Sequence, residues 1–168
     1  MRPKSEAEGH GGPGAEPALI RRRALDLLAR REHSVAELRA KLLRRGHGAG
    51  EIAAVLSGLE AEGLLSDARF AESYVAARRA RGEGPLRIAT ALRQRGVAEE
   101  LIARYVDRED AAWQRVMEAA WRKRFGGVRP RDFKERARQA RFLLQRGFAQ
   151  SQVMALLKAD DTDFVDPA

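Results

Sequence analysis

Three times this chain closes a leucine-bearing stretch with a basic residue directly before glycine: Leu42-Leu43-Arg44-Arg45-Gly46, Leu92-Arg93-Gln94-Arg95-Gly96 and Leu143-Leu144-Gln145-Arg146-Gly147. The glycines stand 50 and 51 residues apart, and the agreement extends outward at fixed offsets. Six residues after each glycine come Ile52, Ile102 and Val153; ten after come Leu56, Val106 and Leu157. Twenty-two before come Ala24, Tyr74 and Phe125; twenty-six before come Ile20, Phe70 and Trp121. A period of this length marks tandem units that bury little apolar surface alone and must stack on their neighbours. Ile20, Phe70 and Trp121 are then equivalent anchors.

Residue usage sets the class of those units. Val, Ile and Thr total 15 residues, whereas Ala, Leu and Arg total 75. The first group favours strands and the second helices. Between residues 18 and 166 only Pro85 and Pro130 interrupt. The chain reads as all-α, an elongated, curved array of three tandem three-helix repeats. In the first, a helix over 18–31 carries Leu25 and Leu28 with Ala24 and Leu27 on its apolar stripe. Ser34 and Glu37 form a capping box for a second helix, which ends at Gly46, where a left-handed residue is needed. A third helix runs from about 51 to Gly63. Asp67 reads as the N-cap of a helix over 68–81, and Pro85 suits the first turn of the next, over 86–95. Helices over about 98–106, 110–125, 132–146 and 150–158 follow, and Phe133, Ala137, Ala140 and Leu144 read as the buried stripe of the eighth.

The units are therefore 18–65, 66–107 and 108–158. Residues 1–17 hold four of 15 Gly, three of 6 Pro and no aromatic, the composition of a disordered arm. Residues 159–168 form an acidic tail with Asp160, Asp161, Asp163 and Asp166.

Net charge is +8, and it is uneven: −1 in the arm, +3, +2 and +8 in the three units, and −4 in the tail. Arg outnumbers Lys 27 to 5, and Arg is the better bidentate grip on carboxylate or phosphate. In the third unit Arg122, Lys123, Arg124, Arg129, Arg131, Lys134, Arg136, Arg138 and Arg141 straddle a loop and a helix. Arg131, Lys134, Arg138 and Arg141 fall on one face. Arg78, Arg79, Arg81 and Arg87 make a second knot around 82–85. A polyanion or an acidic protein surface is the implied partner, against the plain alternative of a solvated face.

Catalytic and metal chemistry find little footing. Cys 0 removes thiol catalysis, disulfides and Cys-bearing zinc sites. His10, His33 and His47 lie in the arm or in loops, with no acid at ligand spacing. Gly82-Glu83-Gly84-Pro85-Leu86-Arg87 lacks the third Gly of a dinucleotide fingerprint and follows a helix. The acidic tail lacks the downstream Gly and Glu of a calcium loop. Trp113, Trp121 and Phe125 sit at the spacing of core residues. The turn 46–50 is longer than a helix-turn-helix motif uses. No cofactor or metal is expected, and no enzyme. No apolar run reaches membrane-spanning length and residues 1–17 lack a secretory signal, so a cytoplasmic protein is expected.

The central run Asp67-Ala68-Arg69-Phe70-Ala71-Glu72-Ser73-Tyr74-Val75, then Arg78, Gly82, Gly84-Pro85, Arg87-Ile88, Leu92 and Gly96, resembles the signature of the RecX family of recombinase regulators. Upstream, Ala24-Leu25, Leu28, Arg31, Ser34, Glu37-Leu38, Lys41-Leu42 and Gly46 are similar to that family's first repeat. Ala91 departs from the acid often found there. The resemblance spans roughly 18–157, with the third repeat matching in pattern only. It implies a protein that binds the RecA filament on single-stranded DNA, within its groove. It further implies inhibition of strand exchange, ATP hydrolysis and the coprotease activity that drives the SOS response. Within the signature, Phe70, Tyr74 and Ile88 are expected to pack, and Arg69, Arg78, Arg81 and Arg87 to face the partner. A monomer is expected. The alternative is a helical protein that binds single- or double-stranded DNA directly, without a recombinase.

Overall fold

The computed structural model describes residues 15–158. Among them nine helices follow one another and no strand forms. They are α1 (Ala15–Leu28), α2 (Val35–Leu43), α3 (Ala49–Ala61), α4 (Asp67–Ala80), α5 (Pro85–Arg93), α6 (Glu99–Tyr105), α7 (Ala112–Phe125), α8 (Phe133–Gln145) and α9 (Gln150–Leu156). The arm expected over 1–17 lies outside the described residues up to 14, and 15–17 already belong to α1. The acidic tail, 159–168, lies outside the described residues. The chain divides into two compact units, Met1–Phe70 and Ala71–Ala168.

In the first unit α1, α2 and α3 enclose Ile20, Ala24, Leu38, Leu42, Ile52, Leu56, Leu59 and Leu65. Each helix contributes one apolar stripe at helical spacing, which is what lets three short helices share one core. Ser34 starts α2 by accepting the Glu37 N–H at 3.0 Å. Asp67 does not cap α4. It is the first helical residue, and Ser66 Oγ accepts the Arg69 N–H at 3.2 Å in its place. The Asp67 carboxylate instead accepts the Val35 N–H at 2.8 Å, satisfying an orphan donor at the start of α2. Burial holds its pKa above the usual carboxylate value, against that hydrogen bond.

Both described histidines lie in loops, as expected, and are buried there. His33 Nδ1–H donates to the Arg31 carbonyl at 3.0 Å, which leaves Nε2 to accept the Lys41 ammonium at 2.8 Å. Desolvation pushes the His33 pKa down, so the ring is held neutral. His47 follows Gly46, as Val97 and Phe148 follow the other two repeat glycines, and all three are buried. Its ring is satisfied by Glu16 and Arg23.

The second unit holds the rest of the repeat. Leu92 and Leu143 are fully buried at the position of Leu42, as are Ile102 and Val153 at that of Ile52. Gly96 and Gly147 end α5 and α8 with φ of +73° and +90°. The next N–H reaches back to Leu92 O at 3.2 Å and to Leu143 O at 3.3 Å, closing a Schellman-type end. One pair of equivalent residues changes chemistry. Where the first two repeats carry Ile20 with Leu38 and Phe70 with Ile88, the third carries Trp121 with Gln139. Trp121 Nε1–H donates to Gln139 Oε1 at 2.7 Å, and Gln139 Nε2 donates to Val128 O at 3.2 Å, so the buried amide is used on both sides.

The buried stripe of α8 therefore shares only Ala140 with the expected one. Gln139, Ala140 and Leu143 face the core, while Phe133 is 86% exposed and Leu144 41%. The helix is rotated so that Leu143 and Phe148 meet Trp121 and Val153. Tyr74 is half-buried rather than core; Arg78 and Arg95 each place a guanidinium 4.9 Å from its ring centre. Phe70 and Ile88 are buried as expected.

Within this unit α5 begins against the end of α8. Gly84 N–H donates to Arg146 O at 2.6 Å and Leu86 N–H to Gly147 O at 3.0 Å. A Cβ on Gly84 would stand 2.5 Å from Gly147 C and O, which only glycine avoids. This joint carries the last turns of α4, α7 and α8 into one neighbourhood.

Candidate polyanion-binding cleft

Between the end of α4, the outer face of α7 and the C-terminal half of α8 lies a cleft of about 480 Å³. Six basic side chains line it: Arg79, Arg81, Arg115, Lys123, Arg124 and Arg146. Small residues make the room. Ala80 and Gly82 on one side face Ala119 and Ala120 on the other, with Val116 and Phe142 completing the wall. No acidic residue is among the twelve. Arg115, Ala119 and Lys123 recur at the i, i+4, i+8 spacing that puts them on one face of α7.

The six cations fall into two sets. Arg79 and Arg146 are built into the frame. Arg79 donates to Asp110 at 2.6 Å with its guanidinium 4.2 Å from the Trp113 ring centre. That hydrogen bond, with a second from the Ala112 N–H, holds the Asp110 pKa down. Arg146 donates to Arg81 O at 2.9 Å and Gly82 O at 3.2 Å, and lies over Phe142. It thus neutralises the carbonyl end of α4, whose partial negative charge would otherwise face the cleft. Arg81, Arg115, Lys123 and Arg124 have no ion pair among the described residues; Arg124 rests over Phe125 at 5.7 Å.

Of the residues singled out from sequence, four reach this cleft: Arg79, Arg81, Lys123 and Arg124. The others are placed differently. Arg69 belongs to the first unit, tied to Glu32 at 2.9 Å and to Gly63 O at 2.8 Å. Arg78 and Arg87 share the half-buried Glu83, at 3.0 and 3.4 Å, and Arg87 also donates to Gln145 O. The hydrogen bond to Glu83 raises the Arg78 pKa further. Arg122 pairs with Glu118 at 3.4 Å. Arg129 donates to the Lys158 carbonyl. Arg131 precedes the α8 cap, its N–H bonded to Glu135 at 3.0 Å. Lys134, Arg138 and Arg141 are exposed along α8, with Arg138 over Phe125.

Arg115 and Arg146 are the two lining cations that sequence reasoning misses. Both carry a signal. Arg115 stands eight residues before Lys123, on the same helical face. Arg146 is the basic residue before the third repeat glycine. Among the described residues no group of three or more His, Asp or Glu is placed to hold a metal ion, and no helix is long and apolar enough to cross a membrane.

Comparison with known proteins gives a consistent picture. Family descriptions of the first, second and third three-helix domains of RecX match residues 21–59, 66–105 and 113–157. Regulatory protein RecX of Halorhodospira halophila is 47% identical over 150 residues, covering 89% of this chain and 93% of that protein. Regulatory protein RecX of Pseudomonas tolaasii is 45% identical over 144 residues, covering 86% and 93%. The crystal structure of RecX from Lactobacillus salivarius superposes with a TM-score of 0.70 at 18% identity, covering 84% of this chain and 94% of that one. A second crystal structure, of a regulatory protein RecX, gives a TM-score of 0.73 at 21% identity, covering 84% and 73%.

Proposed function

The chain belongs to the RecX family of regulatory proteins, and from that premise we propose that it binds the RecA filament on single-stranded DNA and inhibits its strand exchange, ATP hydrolysis and coprotease activity. In this reading it is a cytoplasmic monomer that regulates recombination and the SOS response without catalysis of its own. The observation that carries the reading on this chain's own residues is the cleft: six cations, no carboxylate, in the unit that holds most of the net charge. A filament of protein and nucleic acid is a repeating polyanion. Long-range attraction raises the encounter rate with such a surface, and contacts tethered on one body add to useful affinity though each is weak. Occupying the filament's groove would block subunit addition or loosen the assembly.

The test is to add the protein at a substoichiometric ratio to preformed filament and follow ATP hydrolysis and strand exchange. Inhibition at moderate salt is expected; none would overturn the reading. The same cleft favours one second reading, direct binding to DNA without a recombinase. That reading requires tight binding to naked DNA with a steep salt slope. Weak binding with a shallow slope removes it.

A further inference from the structure

The cleft donates hydrogen bonds and accepts none through its side chains. Its lining is six basic residues together with Ala80, Gly82, Val116, Ala119, Ala120 and Phe142. Arginine and lysine carry donors only, and the rest carry no side-chain polar atom. Four of the five carbonyls from Arg78 to Gly82 also accept a hydrogen bond already. Arg78 O accepts from Arg81 and Glu83, Arg79 O from Gly82, and Arg81 O and Gly82 O from Arg146. A polypeptide segment entering here would bring one backbone N–H per residue and find no side-chain acceptor for it. A chain of phosphates brings acceptors only.

The neighbouring hollow shows that this is a property of the cleft and not of the whole unit. Around Tyr74 lies a space of about 550 Å³ whose lining includes Glu83, Thr90, Gln94 and Gln145, which accept as well as donate. Size narrows the cleft's ligand further. Its volume of about 480 Å³ corresponds to a cube roughly 8 Å on edge, less than the ~12 Å width of the major groove alone in a duplex. A stretch of one strand's phosphate backbone fits a space of that size.

We propose that the cleft between α4, α7 and α8 is a phosphate-chain site, taking the backbone of a single nucleic-acid strand or a free triphosphate rather than an acidic polypeptide. Arg79 and Arg146 set the positive wall before any ligand arrives. Arg81, Arg115, Lys123 and Arg124, in no ion pair among the described residues, close on the phosphates. The inference rests on the filament reading only for which strand is met in the cell; the chemistry of the site stands apart from it.

The experiment measures anisotropy of a labelled oligodeoxythymidylate with the full chain, competed by inorganic tripolyphosphate or by polyglutamate at equal charge. Tripolyphosphate should displace the strand and polyglutamate should not. Arg115→Gln with Lys123→Gln should weaken strand binding at least about tenfold and lower the salt slope by about one per cation removed. Ala119→Phe should weaken it too, by filling the cleft with every charge kept. Gln94→Ala, in the other hollow, should leave it unchanged. Thermal melting of each variant separates lost binding from lost folding. Strand binding tighter per charge than tripolyphosphate identifies the strand as ligand; the reverse identifies a free triphosphate, and both uphold the site. Absence of strand binding, equal displacement by polyglutamate, or unchanged binding by the double variant overturns it. Filament inhibition by the same proteins keeps the two readings separable. If the double variant loses inhibition yet binds the strand, the cleft faces protein and this inference falls while the function stands. If wild type binds the strand through the cleft and never inhibits filaments, the function falls and the site stands.

Discussion

The first and third repeats share a backbone plan and treat charge in opposite ways. In the first, Arg21 is held by Glu62 at 2.6 Å and Arg31 by Glu37 at 3.2 Å. Its core cluster is apolar, and His33, Ser34 and His47 are buried in the same repeat. In the third, Trp121 and Gln139 bring a hydrogen bond into the core, and Arg115, Lys123 and Arg124 look into a cleft without a carboxylate. The difference teaches that repeat positions fix the packing while positions between them are free to diverge. Those cations of the first copy are held by carboxylates, whereas these three of the third line a cleft that offers none.

Core equivalence is where that comparison is easiest to break. Leu42→Ala and Leu143→Ala remove fully buried side chains from the same repeat position, so each should cost about 2–5 kcal/mol in urea unfolding. A loss at one and none at the other would mean that the two positions are not structurally equivalent. The repeat glycines sharpen the contrast. Gly46 has φ +83° with open space around a Cβ, so Gly46→Ala should cost only backbone strain, about 1–2 kcal/mol. At Gly147, φ is +90° and a Cβ would lie 2.4 Å from Arg87 Cβ, so Gly147→Ala should cost about 1–3 kcal/mol more, through the joint between α8 and α5. Equal melting temperatures would refute the close approach.

Gln139→Leu should destabilise by about 1–3 kcal/mol, because it leaves the Trp121 N–H buried without an acceptor. Trp121→Phe with Gln139→Leu makes both positions apolar, as the equivalent Phe70 and Ile88 are, and should recover most of that loss. Additive effects in the double-mutant cycle would show that the two side chains are not coupled. The smallest effect is expected at His33, whose pKa is lowered by burial from the ordinary 6.5. A depressed histidine contributes stability above 6.5, where both states are neutral, and loses it as pH falls through the folded-state value, because the unfolded chain takes the proton first. Melting followed across that window should fall for wild type and flatten for His33→Leu, with no matching histidine in the third repeat.

Much of the fold is legible along the chain. The glycine period places Ile52, Ile102 and Val153 in equivalent buried positions, and charge counting locates the basic third repeat. The rotation of α8 is harder to read, because two faces of that helix carry apolar residues at helical spacing. Phe133, Ala137, Ala140 and Leu144 make one; the buried face includes the polar Gln139 and so reads as less apolar. Aligning Leu143 with Leu42 and Leu92 chooses correctly between them. Arg78 and Arg87 read from sequence as partner-facing, yet Glu83, five and four residues away along the chain, holds both.

The sequence by itself determined the helical class, the threefold plan and the family, because periodicity and glycine punctuation are written along one dimension. Tertiary structure alone decided which arginines are spent and which remain. An ion pair such as Arg79 with Asp110 joins residues 31 apart, and a cleft lined by six cations and no carboxylate exists only where three helices meet. Pairing and enclosure depend on distances through space, which no spacing along the chain encodes.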